Sequence, residues 1–294
     1  MSYKCIQHPL GFFQVDPLPT QRDLEMFYKE NYYQQLPADT YCANYSLEEK
    51  KYFHNKAIVA DHIWTKFSDR KTGSLIDIGC GEGFFASYFK QSGWDVQACD
   101  FSSYGVQQQN PCLLPYFEQG DIYEVLENKI KASKKYDFIN LANVLEHVLD
   151  PLELLERLKK IMHIKTILRI SVPNDFSAFQ NMLIEKKCIT EPTWFHPPDH
   201  LNYFTHTSLE NTLIEGGFFI NRMIADFPIE IYLLNEHSNY WKDRNKGSES
   251  HLCRLQIENF LVAQGVDNYI NYMVAASKCG IGRSVIAFAS IKQF

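Results

Sequence analysis

Residues 77–83 read DIGCGEG, and this short run decides the fold. It follows the apolar stretch Ser74–Ile76 and leads into FFASYF at residues 84–89, which looks like a helix. Because glycine lacks a Cβ, the chain can turn sharply here and a ligand can come close to the backbone. The free N–H groups at a helix start favour an anionic group. The run therefore predicts a strand, a glycine turn and a helix arranged around a small ligand, although a tight loop without a ligand shares this pattern.

The glycine spacing separates this turn from the dinucleotide-binding fingerprint, G-x-G-x-x-G. Here the third glycine comes one residue early, and Phe84 stands where the dinucleotide motif has glycine. A second apolar run, WDVQAC at 94–99, ends at Asp100, where an α/β nucleotide site needs an acceptor for two ribose hydroxyls. Because a carboxylate repels a 2′-phosphate, Asp100 favours an unphosphorylated ribose.

Two further strand-like runs also end in polar residues. FEQGDI at 117–122 carries Asp121, which is suited to accept a hydrogen bond from an adenine amino group. YDFINL at 136–141 leads into ANVLEHV at 142–148. Parallel strands end at one edge of their sheet, where such sheets bind ligands, so these polar groups are expected to lie along one rim.

The ordered set DIGCGEG, CD, GDI and NVLEHVLDP resembles class I S-adenosylmethionine-dependent methyltransferases. It is most similar to the small-molecule branch, with its ubiquinone-biosynthesis-type O-methyltransferases and its sugar or surface-polysaccharide methyltransferases. The similarity covers about residues 70–227. The resemblance implies a set of cofactor-binding residues: Asp77, Gly79, Gly81 and Gly83 at the methionine end, Asp100 on the ribose, Asp121 and Ile122 around the adenine, and Asn143 near the sulfonium. Phe101, next to Asp100, is also expected to bind the cofactor.

The order of elements predicts an α/β fold with a doubly wound, seven-stranded, mostly parallel sheet, the Rossmann-like methyltransferase fold. Strands are expected near 74–78, 94–99, 115–119, 136–141, 165–171, 218–220 and 284–291, and helices near 47–67, 83–92, 103–109, 122–130, 149–162 and 207–216. We divide the chain into an N-terminal lid and helical segment (1–72), a core (73–227 plus 281–294) and a helical insert between the last two strands (228–280). The insert should cover the substrate pocket or form a subunit contact in a homodimer.

Histidines are the expected catalytic residues. Methyl transfer from a sulfonium is a one-step displacement that depends mainly on positioning and exclusion of water. A hydroxyl acceptor usually also needs a base, most often histidine near neutral pH. The candidates are His147, and His196 and His200 in WFHPPDHLNYF at 194–204. His200 is the first choice as base or acceptor-orienting group, while a purely structural role stays open for it and for His147.

Aromatic residues are the candidates for substrate contact, namely Tyr32, Tyr33 and Tyr203. In the resembled family the region before the core forms a lid over the cofactor, and ordinary aromatic packing is the alternative. Quinone-type relatives associate the matching Glu146–His147 pair with the pocket and in some cases with a divalent metal. Because Asn143 replaces the earlier acid of that pattern, no required metal is expected.

Composition excludes several classes of function. The net charge is −6 and no basic tract occurs, so nucleic acid is not expected as a partner. No apolar run approaches the ~20 residues that a membrane span requires. The eight cysteines include no C-x-x-C pair, which disfavours a zinc ribbon. The start of the sequence lacks the pattern of a signal peptide, so a cytoplasmic protein with reduced thiols is expected.

These observations favour S-adenosylmethionine-dependent O-methylation of a small polar acceptor. On the resemblance, the preferred acceptor is a surface-polysaccharide or capsule precursor, such as a nucleotide-linked sugar or a phosphate- or phosphoramidate-bearing compound. Lys242 and Arg244 could serve such an anion, although a solvated helix face explains them better. The alternatives are an aromatic or quinone-like hydroxyl and, from other classes, a nicotinamide-dependent oxidoreductase or a non-catalytic binding protein.

Overall fold

The structure is a computed structural model that describes residues 3–28 and 44–292. The strands within these ranges are β1 (Lys4–Gln7), β2 (Phe13–Asp16), β3 (Ser74–Ile78), β4 (Asp95–Asp100), β5 (Phe117–Gln119), β6 (Tyr136–Ala142), β7 (Met162–Pro173), β8 (Asn202–Tyr203), β9 (Phe218–Ala225) and β10 (Ser284–Ile291). The main sheet has seven strands in the order β5-β4-β3-β6-β7-β10-β9. Strand β10 runs antiparallel to β7 and β9, and the other pairs are parallel. The predicted doubly wound, mostly parallel α/β fold is confirmed.

Helices cover both faces of this sheet. They are α1 (Gln21–Tyr28), α2 (Leu47–Ser68), α3 (Phe84–Gln91), α4 (Tyr104–Gln109), α5 (Ile122–Lys131), α6 (Pro151–Lys159), α7 (Ala178–Glu185), α8 (His206–Glu215), α9 (Gly247–Ala263) and α10 (Val266–Lys278). Helices α5, α6 and α8 pack one apolar cluster against one face of the sheet. Helices α2, α3 and α10 pack a second cluster, rich in aromatic rings, against the other face. Burial on both faces explains why the central strands read as apolar runs.

Two predicted boundaries needed correction. Helix α6 ends at Lys159, not near 162, because β7 begins at Met162 and is longer than expected. Strand β5 begins at Phe117, since residues 111–116 form a 3₁₀ turn that contains two prolines. Proline lacks an N–H group to donate to a neighbouring strand, so this segment cannot extend the strand.

The N-terminal residues form structure that the sequence did not predict. Strands β1 and β2 form a hairpin, and β2 pairs with β8 in a separate three-stranded sheet. Residues of the hairpin, of α7 and of the loop before β8 share a third apolar cluster, which includes Val15, Leu183, Trp194 and Tyr203. The hairpin therefore lies against the loop that carries two of the candidate histidines.

The insert between the last two strands is helical, as the sequence indicated. Its helix α10 packs on β9, and α9 packs on α2. Asn259 of α9 accepts a hydrogen bond from the Asn55 side chain at 2.9 Å and donates one to the Glu48 backbone at 3.1 Å. The insert is thus joined to α2 of the N-terminal segment, and the three-part division of the chain stays a proposal. Within the described residues, no helix is both long and apolar enough to cross a membrane.

Candidate functional site

The glycine turn after β3 is held by backbone hydrogen bonds to the neighbouring strand. The Gly79 and Cys80 N–H groups both donate to the Cys99 carbonyl, at 2.9 and 3.1 Å. Gly79 has a φ of +70°, and a Cβ built on it would lie 2.5 Å from Val144 Cγ2. Gly81 also has positive φ, but a Cβ there would meet no atom within 4 Å. The turn is therefore packed on the side of Gly79 and open at Gly81, as a turn that admits a ligand must be.

Asp100 lies at the end of β4, beside this turn. Its Oδ2 accepts a hydrogen bond from the Gly81 N–H at 2.9 Å, and its Oδ1 accepts one from the Ser102 N–H at 3.2 Å. Burial raises the pKa of Asp100, and these N–H groups oppose that shift. One carboxylate thus fixes the open glycine in place, and each oxygen keeps a second lone pair with which it can accept from a hydroxyl.

Asp77, predicted at the methionine end of the cofactor, is buried beneath the turn. Its side chain is 1% exposed, and its Oδ1 accepts a hydrogen bond from Asn140 Nδ2 at 2.6 Å. Asn140 Oδ1 in turn accepts one from Arg169 Nη1 at 2.6 Å. Burial raises the pKa of Asp77 to about 6, and Asn140 and Arg169 oppose the shift. Asp77 Oδ2 has no hydrogen-bond partner in the described structure.

The other predicted cofactor residues lie at the same rim. Asp121 caps α5, its Oδ1 accepting hydrogen bonds from the Tyr123 and Glu124 N–H groups at 2.8 and 3.3 Å. Ile122 is 6% exposed and packs in the core, so most of its surface is unavailable to an adenine. Asn143 is exposed in the left-handed conformation, with φ of 55° and its N–H donating to the Ser171 carbonyl at 2.8 Å. Phe101, which follows Asp100, is partly buried.

An aromatic residue before α2 reaches the glycine turn. The Tyr45 hydroxyl donates a hydrogen bond to Glu82, and the Tyr45 ring meets Phe53 and Phe84 edge to face, at 5.2 and 5.4 Å. This contact connects the N-terminal segment to the turn, although the sequence did not single out Glu82. The candidates Tyr32 and Tyr33 lie outside the described residues.

Two histidine rings, one in the segment after β6 and one in the loop before β8, contact each other. The rings of His147 and His200 are 4.8 Å apart and nearly perpendicular. His147 Nδ1 lies 2.6 Å from the Asp199 carbonyl oxygen. Because a carbonyl only accepts, Nδ1 carries the proton of the neutral ring and Nε2 holds the lone pair.

His200 is a neutral ring with a buried nitrogen. Its side chain is 17% exposed, and its Nδ1 has no hydrogen bond in the described structure, with Asp175 Oδ2 4.0 Å away. Burial, together with the nearby charges of His147 and Arg283, lowers the pKa of His200 to about 3. The ring is therefore uncharged near neutral pH and keeps a lone pair on one nitrogen, but with so low a pKa it is a weak base unless a carboxylate stabilises its protonated form.

The two weaker candidates of this loop have different positions. Tyr203 is 0% exposed, and its role in substrate contact stays a prediction. Its hydroxyl donates to the His200 carbonyl at 2.9 Å and accepts from the His196 N–H at 3.2 Å. Tyr203 thus holds the two ends of the loop together, while the His196 side chain is exposed.

Glu146 has a burial and a contact with His147 that the sequence pattern did not indicate. Its side chain is buried, neither of its carboxylate oxygens has a hydrogen bond in the described structure, and Oε1 lies 3.9 Å from His147 Nε2. Burial, with the charges of Asp175 and Asp199, raises the pKa of Glu146 to about 7, and His147 opposes the shift. Ligand atoms of Glu146, His147 and His200 lie within 4.8 Å of one another, an arrangement that could hold a metal ion. Only the adjacency of Glu146 and His147 was visible in the sequence.

A family model described as a methyltransferase domain matches residues 52–220, more than half of the chain. The chain belongs to this methyltransferase-domain family. The matched range contains the glycine turn, Asp100, Asn143 and all three candidate histidines. The family thus decides against a nicotinamide-dependent oxidoreductase and a non-catalytic binding protein, and the predicted S-adenosylmethionine-dependent methyltransferase is confirmed at this level. Comparison with curated proteins finds no match.

Solved structures share the fold of this methyltransferase. The plantazolicin methyltransferase BamL, in complex with a triazolic desmethylPZN analogue and SAH, is 12% identical with a TM-score of 0.51, and the match covers 94% of this chain and 92% of BamL. BpumL, another plantazolicin methyltransferase, in complex with a monoazolic analogue and SAH, is 16% identical with a TM-score of 0.50, covering 94% and 91%. A SAM-dependent methyltransferase from Archaeoglobus fulgidus is 16% identical with a TM-score of 0.46, covering 80% and 94%. At these identities the likeness shows the fold alone.

The residues of the rim fit S-adenosylmethionine. The backbone is open at Gly81, where a side chain would occupy the space above the turn. Asp100 and Asp121 end neighbouring stretches of the sheet and can accept hydrogen bonds, the former from ribose hydroxyls and the latter through its second oxygen. When bound, this cofactor supplies an activated methyl group on a sulfonium.

Proposed function

We propose that this methyltransferase transfers the methyl group to a hydroxyl oxygen of a small polar acceptor. The acceptor would lie beside Asn143, over the pair of histidines. For the cofactor we propose the glycine turn at the methionine end, Asp100 at the ribose with Phe101 as a further contact, Asp121 and Ile122 at the adenine, and Asn143 near the sulfonium.

The observation that carries this proposal is the neutral, half-enclosed His200 ring 4.8 Å from His147. A hydroxyl that attacks a methyl carbon must lose its proton, and a neutral imidazole at the rim can accept it. The rest of the catalysis is positioning and exclusion of water, to which the loop tied by Tyr203 contributes. His147 and His196 would orient the acceptor.

The preferred acceptor class is a surface-polysaccharide or capsule precursor, such as a nucleotide-linked sugar. This preference rests on the sequence resemblance. A phosphate- or phosphoramidate-bearing acceptor has weaker support, because Lys242 and Arg244 are exposed and Arg244 stacks on Trp241 at 5.1 Å. An aromatic or quinone-like hydroxyl is the second candidate, favoured by the aromatic rings around the loop, such as Phe195 and Phe176 against Tyr203.

Two experiments test the proposal in order. Titration calorimetry with S-adenosylmethionine and S-adenosylhomocysteine should show saturable binding, and its absence in folded protein would remove the proposal. The enzyme with S-adenosylmethionine is then offered nucleotide-linked sugars and, separately, catechols. Methylated product is detected by mass spectrometry, and the carbon shift of the new methyl group in NMR distinguishes O-methyl from N- or C-methyl products.

We also propose that the protein is cytoplasmic and that its partner is the small acceptor and not nucleic acid. The seven described cysteines form no disulfide, which agrees with reduced thiols. We propose further that the helical insert is the surface through which two copies would associate. Sedimentation of the purified protein, with the exposed Phe260 of α9 changed to Ser, tests the association.

A further inference from the structure

A buried acid lies directly behind His200. Asp175 follows β7 and is 1% exposed, and its backbone N–H donates to the Phe204 carbonyl at 2.9 Å, just beyond β8. Its Oδ1 accepts hydrogen bonds from Arg283 Nη1 at 2.9 Å and from Gln180 Nε2 at 3.4 Å. One oxygen of Asp175 is therefore engaged, and the other faces the imidazole.

One of the two atoms at this contact, the imidazole nitrogen, lacks a hydrogen bond. His200 Nδ1 is buried with no hydrogen-bond partner in the described structure, and Asp175 Oδ2 lies 4.0 Å away. A buried polar atom without a partner is destabilising, so a small movement that brings His200 Nδ1 to Asp175 Oδ2 is favoured. Closing the gap to a hydrogen-bond distance of about 2.8 Å requires roughly 1 Å of side-chain movement.

A second acid lies near the opposite ring nitrogen. Asp199 Oδ2 is 4.0 Å from His200 Nε2, but the Asp199 side chain is 37% exposed. Water screens an exposed carboxylate, whereas a buried one held by a guanidinium keeps its orientation. The imidazole therefore has a fixed buried partner at Nδ1 and a solvated one at Nε2.

We infer that Asp175 is a positioning residue that holds His200 in the tautomer with the proton on Nδ1, and that Arg283 in turn holds Asp175. In this tautomer the Nε2 lone pair points away from Asp175 and is available to the acceptor. The inference deepens the proposed function, and rests on it for the role of His200.

With this tautomer, every proton of the proposed reaction has a donor and an acceptor. The hydroxyl proton of the acceptor passes to His200 Nε2 while the oxygen forms a bond to the methyl carbon. The carbon–sulfur bond breaks, and its electron pair stays on sulfur. The imidazolium that results carries a proton on each nitrogen, and its Nδ1–H faces the carboxylate of Asp175. Release of the Nε2 proton to water restores the neutral ring.

The chain offers a matched control for Asp175. Glu230 is also a buried acid, 7% exposed, and its Oε1 contacts the same two side chains, Arg283 Nη1 at 3.5 Å and Gln180 Nε2 at 3.4 Å. Of these two acids, Asp175 is the one with an oxygen 4.0 Å from His200 Nδ1. Comparing Asp175→Asn with Glu230→Gln therefore separates the effect on His200 from the loss of one buried charge.

The direct test is the tautomer of His200, measured without any acceptor. Protein with ¹⁵N-labelled histidine is studied by long-range ¹H–¹⁵N NMR near neutral pH, and the His200 signals are assigned by their loss in His200→Gln. Wild type and Glu230→Gln should show the proton on Nδ1. Asp175→Asn presents an amide N–H to Nδ1 and should move the proton to Nε2. A wild-type spectrum with the proton on Nε2 would overturn the inference even if a variant failed to fold, and so would equal spectra for the two variants.

Turnover supplies the second readout, with any acceptor that the wild type methylates. Asp175→Asn should lower kcat about 10²–10⁴-fold with KM for S-adenosylmethionine unchanged, because the wrong tautomer offers N–H where a lone pair is needed. Glu230→Gln should keep kcat within a few-fold. If S-adenosylhomocysteine fails to bind the wild type, the proposed function falls and the tautomer result still judges the role of Asp175. Equal kcat values in the two variants would refute that role while methyl transfer stands.

Discussion

The proposed cofactor side and the proposed acceptor side of the rim are built in opposite ways. The cofactor side is one continuous turn, residues 77–83, whose N–H groups are tied to Cys99 and Asp100. The acceptor side is assembled from distant parts of the chain, namely Glu146 and His147, Asp175, Asp199 and His200, and Arg283. Its buried atoms include several without hydrogen bonds in the described structure, at Glu146, Asp199 and His200.

This difference indicates what each side requires. A turn whose backbone groups are already paired is preformed and changes little when a ligand binds. Buried polar groups without partners are costly, and natural proteins keep them mainly at sites where a ligand or a proton completes them. Substitutions on the acceptor side should therefore lower turnover and leave the affinity for the cofactor unchanged.

The largest effect should come from His200→Ala. We expect turnover to fall about 10²–10⁴-fold, the usual contribution of a general base, because the ring that accepts the hydroxyl proton is removed. Affinity for S-adenosylhomocysteine, measured by calorimetry, should stay within a few-fold of wild type, since the glycine turn is held by hydrogen bonds to Cys99 and Asp100 and not by His200.

The matched control is His237→Ala, an exposed histidine of the insert, which should leave turnover unchanged. If His200→Ala keeps wild-type turnover, the ring has no part in the reaction. If it loses cofactor affinity as well, the two sides of the rim are not independent.

The next largest effect should come from the buried charge that supports the cofactor side. Arg169 is 5% exposed, and it is joined through Asn140 to Asp77. Arg169→Met leaves Asn140 without its donor and Asp77 without its nearby cation, so the free energy of unfolding should fall by roughly 3–5 kcal/mol. Urea denaturation followed by circular dichroism measures this loss. Arg157→Met is the control, since Arg157 pairs with Glu153 on the surface of α6 and should cost less than about 1 kcal/mol. Equal losses would show that the hydrogen bonds from Arg169 through Asn140 to Asp77 stabilise the fold no more than a surface ion pair does.

The same comparison explains which parts of the site could be predicted from the sequence. The geometry around the glycine turn was predictable because strand, turn and helix lie next to one another, so the spacing of Asp77, Gly79 and Asp100 reports their positions directly. The acceptor side was predictable only as separate histidines. Nothing in the spacing of residues 175, 200 and 283 indicates that β7, the loop before β8 and the start of β10 meet. Likewise, the hairpin of β1 and β2 escaped prediction because its partner β8 is two residues long and lies almost 200 residues later.

A smaller effect is expected for Asp100→Ala on the cofactor side. Losing the carboxylate removes an acceptor for ribose hydroxyls and the bond that fixes Gly81, so affinity for S-adenosylhomocysteine should fall about 10–100-fold. Calorimetry measures the change. Asp95→Ala, at the exposed other end of β4, should bind like wild type. Unchanged affinity in Asp100→Ala would place the ribose elsewhere on the rim.

The smallest effect concerns the pH dependence of stability on the acceptor side. The pKa of Glu146 is about 7 in the folded protein, above its ordinary 4.5. The folded state therefore binds this proton more tightly than the unfolded chain, and the stability it contributes at low pH is lost as the pH rises from about 4.5 through 7. The groups that face Glu146 are His147, Asp175, Asp199 and His200, and of these only a protonated histidine would oppose the shift.

Glu146→Gln removes this titration. Between about pH 5 and pH 8, the unfolding free energy of the variant relative to wild type should rise by roughly 1–3 kcal/mol, with both measured by urea denaturation. The control is Glu191→Gln, which changes an exposed acid between α7 and β8 and should follow the wild-type curve. A flat difference for Glu146→Gln would mean that its carboxylate already has a cationic partner when the protein is folded. A chelator that restored the slope in wild type would identify that partner as a metal ion held with His147 and His200.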